Sequence, residues 1–472
     1  MRSDILPRRI PKRYVIVLMV FLGYVNFYYL HTNLGMAVVH MTSSRKITYS
    51  NGTVQLIRPE HPWNSIQKAL VISSFAYGRF FGPVGAVFAG RIGGATLYSV
   101  GILGAAVTTF CMPFCLHFSF YLFVLGSAIS GLFESVAYAS VSQIWSRWAP
   151  PDERAKVISL GGIGTFGGSV VSFLVSGWIL HEWGWRVLFH VSGISMFVWF
   201  WIWIMVVKND PSDDKRMSDA ERTYIKDRIN NQVRSKKLAY PWKNIVSCVP
   251  FWMGCLCKFG MGAGYTFTMM YLPQYIKDIN DVDIKKIGYI SLSPQICSLI
   301  SMPLGGYVFD YIRSNRILRL TNIHKLFVCI GLLFGTLAFL VAGFWPNFVI
   351  GIICMCVFQF FGSCTVLDIK ILVLDLAPRY AAFMNSVATS FYTASSILTP
   401  IAVGFIVTSH SQFQWSICFI ILGILYPVIA LMFLKFASAE LQPWANYSPS
   451  ECDQCEDADC TNKKTSSKMD DF

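Results

Sequence analysis

Charge is what this sequence has least of. Only 14% of its residues are Asp, Glu, Lys or Arg, against about 25% in an ordinary soluble protein. About a dozen apolar stretches are almost free of charge, and each has the roughly 20 residues a helix needs to span the hydrocarbon of a bilayer. That scarcity excludes a soluble globular domain. A phosphate-binding Walker loop is missing, which argues against an ATP-driven pump. Zinc-ligand spacing and a Ser/His/Asp context are missing too, so no metal, no cofactor and no enzymatic activity are expected. The first apolar run is too long for a cleavable signal peptide and has a basic flank, so it reads as a span that stays. Most of the 14 cysteines lie inside apolar runs, where a free thiol acts as a small hydrophobe. Cys452, Cys455 and Cys460 stand in an acidic tail without a fourth ligand and read as palmitoylation sites or reduced thiols.

What is present is an all-α membrane protein of twelve spans. The runs cover 14–38, 66–90, 95–116, 120–146, 157–180, 186–207, 245–276, 286–312, 324–344, 348–374, 380–408 and 413–437. Arg2, Arg8, Arg9, Lys12 and Arg13 precede the first. Ten Lys or Arg residues crowd the linker 208–244, and Arg313, Arg316, Arg319 and Lys325 fall between spans 8 and 9. The positive-inside rule therefore predicts cytosolic termini (1–13 and 438–472) and a cytosolic linker. The net charge of +13 is read as this orientation signal, with no nucleic-acid partner. The loop 39–65 then faces outward or into a lumen, where Asn51-Gly52-Thr53 is an acceptor for glycosylation. Asn446-Tyr447-Ser448 falls on the cytosolic side and should stay unmodified. Lysosomal, vesicular and plasma membranes all remain open.

The linker separates six spans (14–207) from six (245–437), and the halves echo each other. Pro83-Val84-Gly85-Ala86 in span 2 recurs as Pro303-Leu304-Gly305-Gly306 in span 8. Ala149-Pro150 after span 4 recurs as Ala377-Pro378 after span 10. Both echoes imply one pairing of the halves, the plan of a transporter whose halves rock about a central site. Glycines every four residues, as at Gly78 and Gly82 or Gly164 and Gly168, allow close helix packing. In the linker, Ser218 and Glu221 have capping-box spacing and predict a short helix to about Ile229.

An ionisable group inside a span costs about 2.5–3.5 kcal/mol on insertion scales and needs a reason. Glu134 in span 4 is a candidate for proton coupling, because a cavity carboxylate can take and release a proton; Asp368 in span 10 is the next. Arg79, Lys258 and Lys370 are candidate contacts for an anionic substrate, and His31 is a titratable one. Asp368 and Lys370, two residues apart, cannot face one spot, whereas Asp368 and Asp375 share a helix face. Arg147, Arg154, Asp310, Arg313, Asp375 and Arg379, at cytosolic helix ends, are expected to pair as a gate or to serve topology and capping.

Several strings resemble the anion/cation symporter branch of the major facilitator superfamily, which includes sialin, the vesicular glutamate transporters and sodium/phosphate cotransporter-like proteins. They are Asn33-Leu34-Gly35-Met36-Ala37-Val38-Val39, Gly131-Leu132-Phe133-Glu134, the run from Trp145 to Arg154 (WSRWAPPDER), the run from Leu374 to Ala381 (LDLAPRYA), and Phe436-Ala437-Ser438 with Gln442-Pro443-Trp444. The resemblance implies the major facilitator fold, proton coupling at Glu134 and alternating access. The chain also departs from the branch. His31, Ser127 and Ser142 stand where members often carry arginine, arginine and histidine, and Met261 stands near a span 7 arginine. The expected function is secondary active transport of an organic or inorganic anion, as symporter or exchanger, driven by protons or sodium. The alternatives are a receptor or regulator on a transporter scaffold, and a carrier of a neutral or zwitterionic solute.

Overall fold

The computed structural model describes residues 11–43, 45–48, 54–82, 92–149, 160–214, 216–230, 242–280, 282–345, 347–377, 380–409, 411–442 and 444. The principal helices are α1 (Lys12–Thr42), α2 (Ser65–Arg79), α3 (Gly94–Phe118), α4 (Phe120–Trp148), α5 (Gly164–Glu182) and α6 (Gly184–Val206), followed by α7. That helix runs as Val249–Thr266, a π-helical turn Phe267–Tyr271, and Leu272–Asn280. After it come α8 (Ile284–Ser314), α9 (Leu320–Phe344), α10 (Phe348–Leu376), α11 (Ala381–Ile406) and α12 (Gln412–Phe436). Among the described residues ten of these, all but α2 and α7, are long and apolar enough to cross a membrane. Large apolar side chains such as Leu337, Phe405 and Ile424 cover the outside. In water that surface would be a liability, and in lipid it is the expected one.

One departure from the all-helical expectation is a short antiparallel hairpin. Arg45–Thr48 pairs with Val54–Ile57, with Arg45 opposite Ile57 and Thr48 opposite Val54. The sequence reads there as a plain polar loop because two four-residue strands are too short for a period-2 signal.

The helix contacts repeat with a shift of six elements. In the first half α1 packs on α5, α2 on α4, α3 on α4 and α3 on α6. In the second, α7 packs on α11, α8 on α10, α9 on α10 and α9 on α12. The crossing contacts follow the same rule, α5 on α8 and α11 on α2. Small residues make these crossings close. A Cβ on Gly177 of α5 would lie 3.2 Å from the Cα of Gly288 on α8, and one on Gly404 of α11 would lie 3.0 Å from the Ser65 carbonyl oxygen on α2. His181 Nε2 also stands 3.5 Å from Asp283 Oδ2, just before α8. All these contacts lie at the hairpin end of the bundle.

At the other end the linker is pinned to the start of α1. The helix Asp219–Asn230 begins beside Ser218, whose Oγ accepts the Glu221 N–H at 3.3 Å. Pro11 gives α1 no side-chain cap. The Glu221 carboxylate supplies one by accepting the Lys12 and Arg13 N–H groups at 2.9 and 3.1 Å, and its negative charge suits a helix N-terminus. Lys12 Nζ reaches Asp214 at 3.1 Å, and Arg13 lies over the Tyr224 ring.

Candidate functional site

Arg79 and Glu134 meet because two glycines let α2 and α4 touch. A Cβ on Gly78 would strike the Ala128 carbonyl oxygen, and one on Gly131 would strike the Phe75 carbonyl oxygen. With both positions bare the backbones cross in contact. Arg79, next to Gly78, then lies beside Glu134, one turn past Gly131. Arg79 Nη1 is 3.8 Å from Glu134 Oε1; the Glu134 side chain is 1% exposed and that of Arg79 is 14%. Neither carboxylate oxygen has a hydrogen-bond partner among the described residues. The guanidinium is the charge that compensates Glu134, across a gap too long for a hydrogen bond.

Tyrosines surround this pair. The Arg79 guanidinium lies 5.3 Å from the Tyr138 ring and 5.8 Å from the Tyr28 ring, within cation–π range. Tyr24 stacks on Tyr138 at 4.7 Å. The His31 ring packs 4.9 Å from Phe75 and 6.2 Å from Tyr28, and its Nδ1 has no partner among the described residues. From the second half, Tyr265 of α7 and Tyr392 of α11 stand 6.2 Å apart, and both lie within electrostatic range of Tyr28 and Arg79. Phenols from both halves therefore lie within electrostatic range of one guanidinium. Sequence reasoning missed this cage. Its one available signal was the spacing of Tyr24, Tyr28 and His31, which share a face of α1.

In the second half Lys258 of α7 is buried and donates to Thr389 Oγ1 of α11 at 3.3 Å. Lys370 of α10 is solvent-accessible and lies within electrostatic range of Lys258. One turn before Thr389, Asn385 Oδ1 has no partner among the described residues. Helices α7, α10 and α11 thus carry two ammonium groups and an acceptor without a partner, with no carboxylate on either lysine among the described residues.

Asp368 does not pair with Lys370. It faces α9, where its Oδ1 lies 2.9 Å from His324 Nδ1; His324 Nε2 lies 3.3 Å from Asp375 Oδ2. Asp375 in turn accepts from Arg313 of α8 at 3.1 and 3.3 Å. Arg147 of α4 stands 3.8 Å from Asp210 at the start of the linker, both well exposed. Neither Arg313–Asp375 nor Arg147–Asp210 joins one half to the other. Asp310 is exposed and makes no ion pair among the described residues. Arg154, Arg379 and Asn51 lie outside the described residues. Asn33 has a packing role. It donates to Ser192 Oγ at 2.7 Å and accepts from Ser172 at 2.8 Å and from Ser176, which ties α1 to α5 and α6. Among the described residues no group of His, Cys, Asp and Glu is arranged to hold a metal.

A polytopic helical bundle whose helix contacts repeat with a shift of six elements is the plan of a membrane transporter. The chain belongs to the Major Facilitator Superfamily, whose family pattern matches residues 16–367. Among similar curated proteins, Vesicular glutamate transporter 2.2 of Danio rerio is 26% identical over 453 residues, 94% of this chain and 77% of that one. Vesicular glutamate transporter 1 of Bos taurus is 26% identical over 94% of this chain and 80% of its own length. These relatives come from the branch that the sequence strings resemble. Of solved structures, a bacterial homolog of the human lysosomal transporter Spinster superimposes with a TM-score of 0.69 at 13% identity, over 93% of this chain and 100% of that one. A D-xylose-proton symporter does so with 0.66 at 15%, over 91% and 99%. At such identities the likeness shows the fold alone. The protein is a multi-pass integral membrane protein of a transporter superfamily.

Proposed function

We propose that this chain is a secondary active transporter of an anion, coupled to an ion gradient, that works by alternating access. The observation that carries the reading is the Arg79–Glu134 pair, buried among tyrosines that both halves contribute. Arg79 cannot neutralise Glu134 and hold a substrate carboxylate or phosphate equally well at one time. A proton on Glu134 would release Arg79 to the anion, and deprotonation would draw it back to the carboxylate. Coupling then follows from competition for one guanidinium between Glu134 and the anion, set by the proton on Glu134. Lys258 and Lys370 would meet the anion from the second half, beside His31 from the first, and Asp368 is a second protonatable group. The relatives' printed substrate, glutamate, is an organic anion and supports this class. Glutamate itself is not carried over, because His31, Ser127 and Ser142 replace side chains that the branch often uses.

The reading includes twelve spans, halves at 14–207 and 245–437, and a cytosolic linker 208–244 with both termini on the same side. The close packing of α5 on α8 and α2 on α11 at the hairpin end then describes a state shut toward the outside or lumen. Arg147, Arg313 and Asp375, with Asp310, Arg154 and Arg379, would brace the cytosolic ends as these open and close. The test is uptake by the purified protein in liposomes of a panel of organic and inorganic anions, with an imposed proton or sodium gradient. Gradient-dependent accumulation supports the reading. Saturable binding without accumulation would instead favour a receptor on a transporter scaffold.

A further inference from the structure

The second half contains a continuous polar path that the anion site does not use. Its outer end is Arg313, with a side chain 46% exposed, bonded to Asp375, which is 11% exposed. Next comes His324, 1% exposed, with one ring nitrogen on Asp375 and the other on Asp368. The path ends at Asp368 Oδ2, which is buried and has no hydrogen-bond partner among the described residues. Three helices build this line, α8, α10 and α9, and Phe309 of α8 closes one side of the imidazole with its ring centroid 5.3 Å away. A histidine between two carboxylates, one reaching toward water and one sealed in, is an arrangement that can pass a proton, since each ring nitrogen can donate or accept.

We propose that His324 is a proton-relay residue joining water at the linker end to Asp368, which makes the His324–Asp368 pair a proton-binding site separate from Arg79–Glu134. The relay starts with His324 protonated on Nδ1 and hydrogen-bonded to the Asp368 carboxylate. A proton from water is taken up on Asp375 and passes to His324 Nε2. The Nδ1 proton moves to Asp368 Oδ1. One proton has crossed from water to Asp368, and His324 is neutral again as the other tautomer; the reverse sequence empties the site. Charge balance supports this function. With the imidazole protonated, two cations (Arg313 and His324) face two carboxylates (Asp375 and Asp368), so an extra proton can rest in the chain without an uncompensated buried charge. Among the described residues two thiols, Cys257 on α7 and Cys364 on α10, also lie within electrostatic range of Asp368. On α12, which also packs on α9, Lys435 in the last turn is the single charged side chain.

The proposal deepens the transport reading and rests on it for its physiological meaning, but its test uses no substrate. The purified full-length protein in detergent is given a jump from neutral to acid pH and followed by time-resolved infrared spectroscopy. The protonated-carboxyl band of Asp368 is identified by its loss in Asp368→Asn. We expect that band in the wild type, and we expect it to form at least tenfold more slowly in His324→Gln. Asp375→Asn, which leaves the buried pair in place, should slow it as well. A cooperative thermal melt establishes that each variant is folded. A band that forms at the wild-type rate in folded His324→Gln would overturn the relay, as would the absence of any Asp368-dependent band. Transport that fails while the band behaves as expected would count against the transport reading alone.

Discussion

The Arg79–Glu134 pair predicts an unequal response to neutralising its two members. At 3.8 Å and an effective dielectric constant of 20, the Coulomb attraction is about 4 kcal/mol. Part of that is offset by desolvation, so a measured coupling of about 2–4 kcal/mol is expected. Arg79→Gln leaves Glu134 sealed at 1% exposure with no hydrogen bond to either oxygen. That is the costly case, about 3–5 kcal/mol. Glu134→Gln leaves Arg79 with partial water access and two tyrosine faces at 5.3 and 5.8 Å, each worth roughly 0.5–2 kcal/mol. It should cost clearly less. The double variant removes both charges and should be more stable than Arg79→Gln alone. Thermal denaturation in detergent, run as a double-mutant cycle, measures all three. Equal and additive losses would show that the two groups do not compensate each other, and the reasoning about competition for Arg79 would lose its basis.

Other consequences can be checked separately. His31→Ala should weaken apparent anion affinity by roughly tenfold, about 1.4 kcal/mol; an unchanged affinity would mean that the ring only packs on Phe75. Asn51→Gln should abolish a glycosidase-sensitive mass shift in a eukaryotic host and Asn446→Gln should not, and the opposite result would reverse the orientation. In the hairpin-end loop, burial alone would raise the Glu60 pKa, but hydrogen bonds from Trp185 and Arg186 and the Arg186 charge outweigh it and hold it below 4.5. A depressed carboxylate stabilises the fold above its unfolded pKa and loses that contribution as pH falls through the folded value. Glu60→Gln should therefore cost about 0.2–1 kcal/mol near pH 7, the range for a solvent-screened pair, and the deficit should shrink below about pH 4.

Ten of the expected spans and the linker helix were legible in the sequence because each is a local pattern: an apolar run, or Ser218 three residues before Glu221. The two-fold plan was legible as the Pro-Gly and Ala-Pro echoes, and it appears in three dimensions as helix contacts shifted by six elements. Glu134 and Arg79 stood out as charges in apolar surroundings, and Gly78 and Gly131 supplied the reason they can meet. What the sequence concealed depends on partners distant along the chain. Tyr138, Tyr265 and Tyr392 each look like an ordinary packing aromatic until three helices bring them to Arg79 and Tyr28. His324 lies in an apolar run with no local sign that Asp368 and Asp375, one helix away, bracket its ring. The hairpin was hidden by its brevity, and the π turn in α7 carries no periodic mark.

Reconstituted Glu134→Gln tests the central claim most directly. In liposomes loaded with unlabelled anion, the folded variant is predicted to exchange labelled substrate across the membrane, yet to show no uphill accumulation under a proton gradient that drives it in the wild type. Accumulation equal to the wild type in this variant would contradict the account.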